Sequence, residues 1–512
     1  MDGSRYGLKT LLADFPASVV VFLVALPLCL GIALASNAPL FSGVIAGIVG
    51  GVVVAWVSGS HLSVSGPAAG LTVIVANGIE QSGGFAIFSL AVMLAGVIQL
   101  IFGYMKAGLI AAFFPSSVIK GMLAAIGIIL IIKQLPHATG FDMSFDGDES
   151  YMQETASSSL TEIFEALGGI SPGATIVSIG ALLIMLLWDS SLIKQYKWSR
   201  LVPAPLLAVI WGVSYKLLTA QYFPAWQIAD QHLVSLPVLG SPQAFFQQLS
   251  LPDFSQLTNP VVFKIAITLA LVASLETLLS VEAVDKLDPL KRITPTNREL
   301  KAQGIGNLIN GLIGGLPMTA VIVRSSANIN AGGQTRISSF LHGIMLLVSV
   351  LFFAPLLNQV PLACLASILL LTGYKLAKPD LFSSLYKQGW GQFAPFVITV
   401  VAILVTDLLQ GIVIGILTGL FFVLKANYQA SITLTDHEGT YLLRLHKDVS
   451  FLNKALLRRY LMEIPDNCEL IIDGQRAHFI DHDILETIAD FNQSAKDRNI
   501  SLEFKGILLV KD

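Results

Sequence analysis

Apolar runs recur along this chain almost without pause, and that recurrence leaves few folds open. They fall near residues 15–36, 39–57, 64–80, 85–105, 115–134, 172–189, 201–218, 260–283, 301–315, 318–330, 338–357, 360–374, 392–408 and 410–426. A helix needs about 20 apolar residues to cross a bilayer. Two of the fourteen runs, 64–80 and 318–330, read as short of a full span. Only 13% of the residues are charged, against about 25% in a soluble globular chain. Too few charges remain to solvate a surface of this size, so a bilayer must be the solvent for most of the chain. The 43 glycines agree with this, because small residues let membrane helices approach closely.

Lysines and arginines orient the spans. With the N-terminus inside and spans alternating, the inner links carry Lys106, then Lys194, Lys197 and Arg200, then Lys286, Lys291, Arg292 and Arg298, then Arg336, then Lys375 and Lys378. The outer links are the reverse. Residues 135–170 hold seven acidic residues, Asp142 and Glu165 among them, and no Lys or Arg; residues 219–259 hold no Lys or Arg either. This is the positive-inside pattern. It predicts fourteen segments with both termini cytoplasmic. Lys133, Lys216 and Lys264 fall near outer ends, where snorkelling accounts for them. Arg5 and Lys9 precede the first run, but no small-residue cleavage site follows, so that run reads as a span and not as a cleaved signal.

Near residue 430 the composition changes: charges become frequent and the apolar runs shorten. Leu470-Ile471-Ile472 reads as a buried strand, 483–498 has helical spacing, and Ser501–Phe504 returns to strand. Residues 429–512 are therefore expected to form a small α/β domain behind a helical membrane domain over 1–428. The net charge of −3 argues against a nucleic-acid partner. Cys29, Cys364 and Cys468 lie too far apart in sequence to suggest a disulfide framework or a metal cluster. His61, His137, His232 and His342 are scattered without metal-ligand spacing, and His478 and His482 have nothing to complete a site; all read as solvated surface residues. There is no Walker A sequence. No enzyme constellation and no cofactor are expected.

The second run contains Ile45-Ala-Gly-Ile-Val-Gly-Gly51 and the ninth contains Ile309-Asn-Gly-Leu-Ile-Gly-Gly315. Each motif precedes one of the two short runs. A duplication of seven segments, 14–219 and 260–427, would invert the second copy. Inverted repeats with discontinuous helices at matching places mark secondary transporters, with the substrate between those helices.

The first short run opens Ser63-Val-Ser-Gly-Pro-Ala-Ala-Gly-Leu-Thr72. Ser65 reads as a helix cap and Pro67 as a first-turn residue; Gly66 leaves a ligand unobstructed. The second opens Gly314-Gly-Leu-Pro-Met-Thr319. Two opposed half-helices would aim both N-termini, each worth roughly +0.5 charge, at the midplane. Together they make an anion site, with Ser65, Gly66, Pro67, Ala68 and Ala69 on one side and Thr319, Ala320, Val321, Arg324 and Ser325 on the other. Arg324 at that depth costs about 2.5 kcal/mol or more without a partner or a wet cavity. Glu276 reads as the only acidic residue well inside a long apolar helix, with Ser280 one turn on. It could carry a proton, pair with Arg324, or with Ser280 help bind Na+.

These residues resemble the SulP anion transporters, which correspond to solute carrier family 26. Val20–Pro27 is similar to the family's first helix with its Leu-Pro, and Ser65-Gly66-Pro67 to its third-helix motif. Ala273–Asp285 is similar to the eighth helix, Glu276 standing at the acidic position. Glu299–Asn307 resembles the ninth helix, and Arg324–Asn328 with Ala331–Thr335 the tenth. The tail resembles a STAS domain. The resemblance implies a seven-plus-seven inverted repeat split into a core domain (helices 1–4 and 8–11) and a gate domain (5–7 and 12–14). It further implies an elevator motion, a homodimer, and sulfate, bicarbonate, chloride or oxalate as substrate. Three places depart from the family. Leu28 and Ile32 stand where many members have Gln and an aromatic. Asp481-His482-Asp483 stands where related tails have a phosphorylatable Ser. The tail stops at Asp512, so a final strand or helix is expected to be missing.

The expectation is a multi-pass carrier of the cell (inner) membrane that moves a small inorganic anion, bicarbonate first and sulfate second, with H+ or Na+ as coupling ion. A nucleobase symporter of the same fold predicts no such tail. A channel needs a continuous polar path that no segment provides. A membrane sensor would place the function in the tail.

Overall fold

A computed structural model describes residues 8–108, 115–140, 171–190, 202–223, 226–238, 248–406, 408–437 and 439–507, with residues 193 and 195. The acidic cluster from Asp142 to Glu165, and Lys194, Lys197 and Arg200, lie outside these. The chain divides into two compact units, Met1–Leu385 with Thr399–Ile412, and Tyr386–Ile398 with Val413–Asp512.

In the first unit α1 (Leu8–Ala35) leads into α2 (Leu40–Val49), which widens into a π turn at Gly50–Val54 and closes at Ala55–Val57. Strand β1 (Ser65–Pro67) and a 3-10 turn precede α3 (Thr72–Ser82). Then come α4 (Phe85–Tyr104), α5 (Ser116–Thr139), α6 (Pro172–Trp188), α7 (Ala204–Tyr222), α8 (Pro260–Leu287) and α9 (Thr296–Ile313). Strand β2 (Met318–Ala320) precedes α10 (Ile322–Asn330), followed by α11 (Ile337–Leu357), α12 (Leu362–Leu376) and the short α13 (Pro379–Lys387). The last two residues of α13 belong to the second unit, and helices α14 (Trp390–Val405) and α15 (Leu408–Ala430) contribute to both units. Each of the fourteen expected runs contains a helix, and eight helices among the described residues are long and apolar enough to cross a bilayer alone. The two short runs are indeed half-helices, α3 and α10.

Glycine pairs set how these helices pack. A Cβ on Gly304 of α9 would sit 2.8 Å from the Gly96 carbonyl of α4, and one on Gly343 of α11 would sit 2.8 Å from Gly51 Cα. A Cβ on Gly373 of α12 would sit 2.7 Å from the Gly127 carbonyl of α5. Backbone therefore lies against backbone, and dispersion over the whole contact replaces the hydrophobic drive that lipid cannot supply. The contact of α1 with α6, α7 and α12 differs in kind. There Val24 and Leu28 meet Ala181, Met185, Ala208 and Ile368 through apolar side chains.

The two glycine motifs are not structural equivalents. Gly50 and Gly51 lie inside a helix, where they start the π turn. Gly314 ends α9 in the left-handed region, at φ +78°, where glycine escapes the Cβ clash. Gly51 is separated from β1 by the end of its helix and a loop, whereas only Leu316 and Pro317 separate Gly315 from β2.

In the second unit β3 (Ile432–His437) pairs antiparallel with β4 (Thr440–Val449). β4 pairs parallel with β5 (Glu469–Ile480), and β5 parallel with β6 (Ser501–Lys505). Helices α16 (Lys454–Glu463) and α17 (His482–Asp497) make the crossovers. Leu443, Leu445, Leu457, Leu470, Ile472, Ile484 and Ile488 fill the core. The expected strands at 470–472 and 501–504 and the helix at 483–498 are all present. Asp481 caps α17, accepting from Asp483 N–H at 3.3 Å, and also accepts from Phe451 N–H at 3.1 Å.

Candidate functional site

The first unit is organised around a two-stranded ribbon. β1 and β2 run antiparallel, with Ser65 opposite Ala320, Gly66 opposite Thr319 and Pro67 opposite Met318. Extended backbone within a membrane protein must find partners in the protein itself, and here each tripeptide supplies the other. The ends are clasped as well. Val321 N–H donates to Val64 O at 2.9 Å, Val64 N–H donates to Ser325 Oγ at 2.9 Å, and Ser325 Oγ donates to Val321 O at 2.7 Å. Ala320 N–H donates to Thr277 Oγ1 of α8 at 3.3 Å. Because the strands are antiparallel, α3 and α10 leave the ribbon in opposite directions.

Two local expectations are corrected. Ser65 is not a helix cap and Pro67 is not in a first helical turn: both lie in β1, and α3 begins only at Thr72. Pairing with β2 holds residues 65–67 extended, a conformation proline tolerates. Ala68 and Ala69 then lead into the 3-10 turn Ala69–Leu71, which stands between ribbon and helix. The Ser65 hydroxyl accepts from Gln303 Nε2 at 2.7 Å. Ser325 is spent on the clasp.

A polar ladder on α9 holds the ribbon in place. Glu299, Gln303 and Asn307 recur every fourth residue, so they share one face. Glu299 accepts from Ser58 Oγ at 2.5 Å and from Gln303 Nε2 at 2.9 Å. Asn307 accepts from Met318 N–H at 2.7 Å and donates to Met318 O at 3.1 Å and to Gln99 Oε1 at 2.7 Å. Asn310 donates to Leu316 O at 2.7 Å. The sequence reading took 301–315 as one more apolar run and missed this face; the signal was the four-residue spacing of its amides.

Arg324 is fully buried. Its Nη2 donates to Pro67 O at 3.4 Å, while Nε and Nη1 have no partner. The guanidinium lies against Gly66 so closely that a Cβ there would overlap Nη1. Glu276 lies elsewhere. Gly70 N–H donates to its carboxylate, and a Cβ on Gly70 would sit 2.6 Å from Oε2. Oε2 itself has no hydrogen-bond partner. The expected alternative of a Glu276–Arg324 ion pair is therefore not formed: the arginine faces β1 and the carboxylate faces the turn after it. Ser280 is buried one helical turn beyond Glu276. Thr319 is fully buried, its hydroxyl donating to Ala320 O at 3.1 Å.

Glu276 is not the only acidic group inside a helix of the bundle. Asp14 of α1 and Glu299 of α9 are both fully buried. Asp14 accepts from Gln334 N–H at 2.7 Å and Thr335 N–H at 3.2 Å, and from the Thr335 hydroxyl. Two histidines read as solvated are also buried: His342 completely and His232 nearly so. No group of three or more His, Cys, Asp or Glu suited to a metal occurs among the described residues.

Broken helices that meet end to end inside a helical bundle are the architecture of secondary transporters. Residues 11–402 match the family model of the sulfate permease family, so the chain belongs to that family and is an anion transporter of its type. It is 27% identical over 430 residues to the putative sulfate transporter YvdB of Bacillus subtilis, covering 83% of this chain and 76% of that one. It is 28% identical over 368 residues to the bicarbonate transporter BicA of Picosynechococcus sp., covering 70% of this chain and 61% of that one. The solved transmembrane domain of a cyanobacterial BicA superposes with TM-score 0.63 at 25% identity, over 80% of this chain and 98% of that one. The structure of SLC26A9 superposes with TM-score 0.79 at 15% identity, over 99% and 86%, and shares the fold.

Proposed function

We propose that this protein is a secondary active carrier of bicarbonate, with sulfate as the second candidate, and that H+ or Na+ drives it. The observation that carries the reading is Arg324: a fully buried guanidinium with two nitrogens that lack a hydrogen-bond partner and, among the described residues, no carboxylate paired with it. Such a group needs an anion, and the N-terminal end of α10, capped at Val321, adds partial positive charge. Glu276, with Oε2 unpartnered and Ser280 a turn away, is the seat for the coupling cation. The relatives named for bicarbonate and for sulfate are about equally similar, so they support an inorganic anion without choosing between the two.

Transport by an elevator has support in the packing. Glycine contacts fasten α4 to α9 and α2 to α11 on one side, and α5 to α12 on the other. The contact around Leu28 between them is made by apolar side chains, which impose no directional bond on a sliding body. In this reading residues 1–428 are the membrane carrier, a homodimer in the cell (inner) membrane, and 429–512 are a cytoplasmic STAS-like domain at its end.

Flux into proteoliposomes tests the proposal. Purified protein is offered labelled bicarbonate and labelled sulfate under imposed Na+ or H+ gradients. Bicarbonate is expected to accumulate under one of the gradients. Failure of both anions to move under any gradient would overturn the reading.

A further inference from the structure

At one end of the first unit two arginines converge on the last turn of the helix that begins as α2. Arg298 Nε of α9 donates to Val57 O at 2.9 Å, and Arg336 Nη1, just before α11, donates to Trp56 O at 3.1 Å. Carbonyls at a helix end have no partner within the helix, and that end carries roughly half a negative charge. Capping therefore accounts for part of the arrangement, but not for two full positive charges. Among the described residues neither guanidinium has an ion-pair partner. The carboxylates of the neighbouring segments turn inward: Glu299 to Ser58 Oγ, Gly59 N–H and Gln303, and Asp14 to Gln334 N–H and Thr335. Arg336 keeps a buried Nε without a partner, and each guanidinium has N–H groups beyond the one that caps the helix.

The surroundings say what kind of anion this end would meet. Trp56 is exposed and packs edge-on to Phe340 of α11, with ring centroids 5.4 Å apart. A Cβ on Gly59 would sit 3.0 Å from Pro295 Cδ, so the loop between α8 and α9 packs on the same end, and Ile293 in that loop is exposed. A soluble anion gains nothing from an exposed indole and isoleucine. A phospholipid gains from both. Its phosphate matches the planar fork of a guanidinium, while its glycerol and upper acyl chains cover the apolar side chains at the depth where tryptophan is enriched. A zwitterionic headgroup would bring its own cation against the two arginines, so an acidic headgroup fits better.

We propose that Arg298 and Arg336, around Trp56, form a docking site for the headgroup of an acidic phospholipid, at the end of the bundle whose lysines and arginines read as cytoplasmic. Bromine on a lipid chain quenches a tryptophan beside it, which gives a direct test. The chain has 6 tryptophans, so the Trp56 emission is taken as the difference between the wild type and Trp56→Phe, which keeps a ring against Phe340. The full chain is placed in bilayers of phosphatidylcholine and phosphatidylglycerol, with the bromine on one lipid or on the other. In the wild type, brominated phosphatidylglycerol is expected to quench Trp56 at a mole fraction about tenfold lower than brominated phosphatidylcholine. Arg298→Gln and Arg336→Gln should each reduce that preference by about fivefold, the usual scale for one arginine at an acidic surface, and high salt should weaken it. Equal quenching by the two lipids in the wild type overturns the proposal, and that comparison needs no arginine variant that could misfold. An unchanged preference in both arginine variants overturns it as well. If inorganic phosphate in the buffer abolishes the preference, the arginines take a soluble phosphate and the lipid assignment falls. None of these readouts uses transport, so the proposed cargo stands or falls apart from them.

Discussion

Arg324 lies against β1 and Glu276 against the turn that follows it, and in the proposed function this separation lets each hold its own ion. Glu276→Gln removes the negative charge but keeps the shape. It is expected to abolish gradient-driven accumulation while leaving anion counterflow between equal anion concentrations intact; accumulation at the wild-type level would remove Glu276 from coupling. Gly66 gives Arg324 its place. Gly66→Ala would push the guanidinium away from β1 and is expected to weaken the apparent anion affinity by about tenfold, the value of one lost charged hydrogen bond. Unchanged affinity would show that Arg324 is held by something other than this contact. The arginine was legible in the sequence as a charge out of place. Its lack of a carboxylate was not, because sequence depth cannot say which side of a turn a side chain faces. The neighbourhood of Cys29 was hidden for the same reason, since only the packing of α1 against α10 brings it near Arg324.

At the scale of elements, the β1–β2 ribbon depends on α9. Asn307→Leu would remove the contacts to Gln99 and to both polar groups of Met318, leaving the Met318 backbone unpaired. The expected loss of stability is about 3 kcal/mol, from three modest bonds and the desolvated groups left behind. A melting temperature in detergent equal to that of the wild type would show that the ladder does not support the ribbon. The half-helices themselves were readable from the proline and glycine at the start of two short apolar runs. The ribbon was not, because pairing between Ser65–Pro67 and Met318–Ala320 joins residues far apart in sequence, with no alternation in such short strands to announce it. The glycine motifs misled in part. They mark close packing in one copy and a helix end in the other, so their likeness in sequence is not a likeness of place.

For the whole molecule, the periodicity of apolar runs was enough to give the helices and the position of the small α/β unit. How the helices divide into bodies depended on which glycines meet. Gly127→Val would drive a branched side chain into the Gly373 carbonyl. Overpacking of this kind costs about 1–3 kcal/mol, and a lower yield of monodisperse protein with a lower melting temperature is the expected result. An unaffected variant would mean that α5 and α12 are not fastened there.

The tie between Asp14 and Thr335 has a consequence of its own. It links the start of α1 to the loop after α10, so in the proposed elevator α1 and the piece that holds Arg324 would travel together. In that reading Arg324 and Glu276 would ride as a pair of opposite charges. The pair adds no net charge when it is empty, and none when an anion and a cation are both bound. With only one of them it carries a net charge, and moving one elementary charge against a membrane voltage costs about 2.3 kcal/mol per 100 mV, before any cost of taking it out of water. On the proposed function, half-filled journeys would thereby be discouraged without a dedicated lock, and parity of charge would be the rule by which two passengers board together.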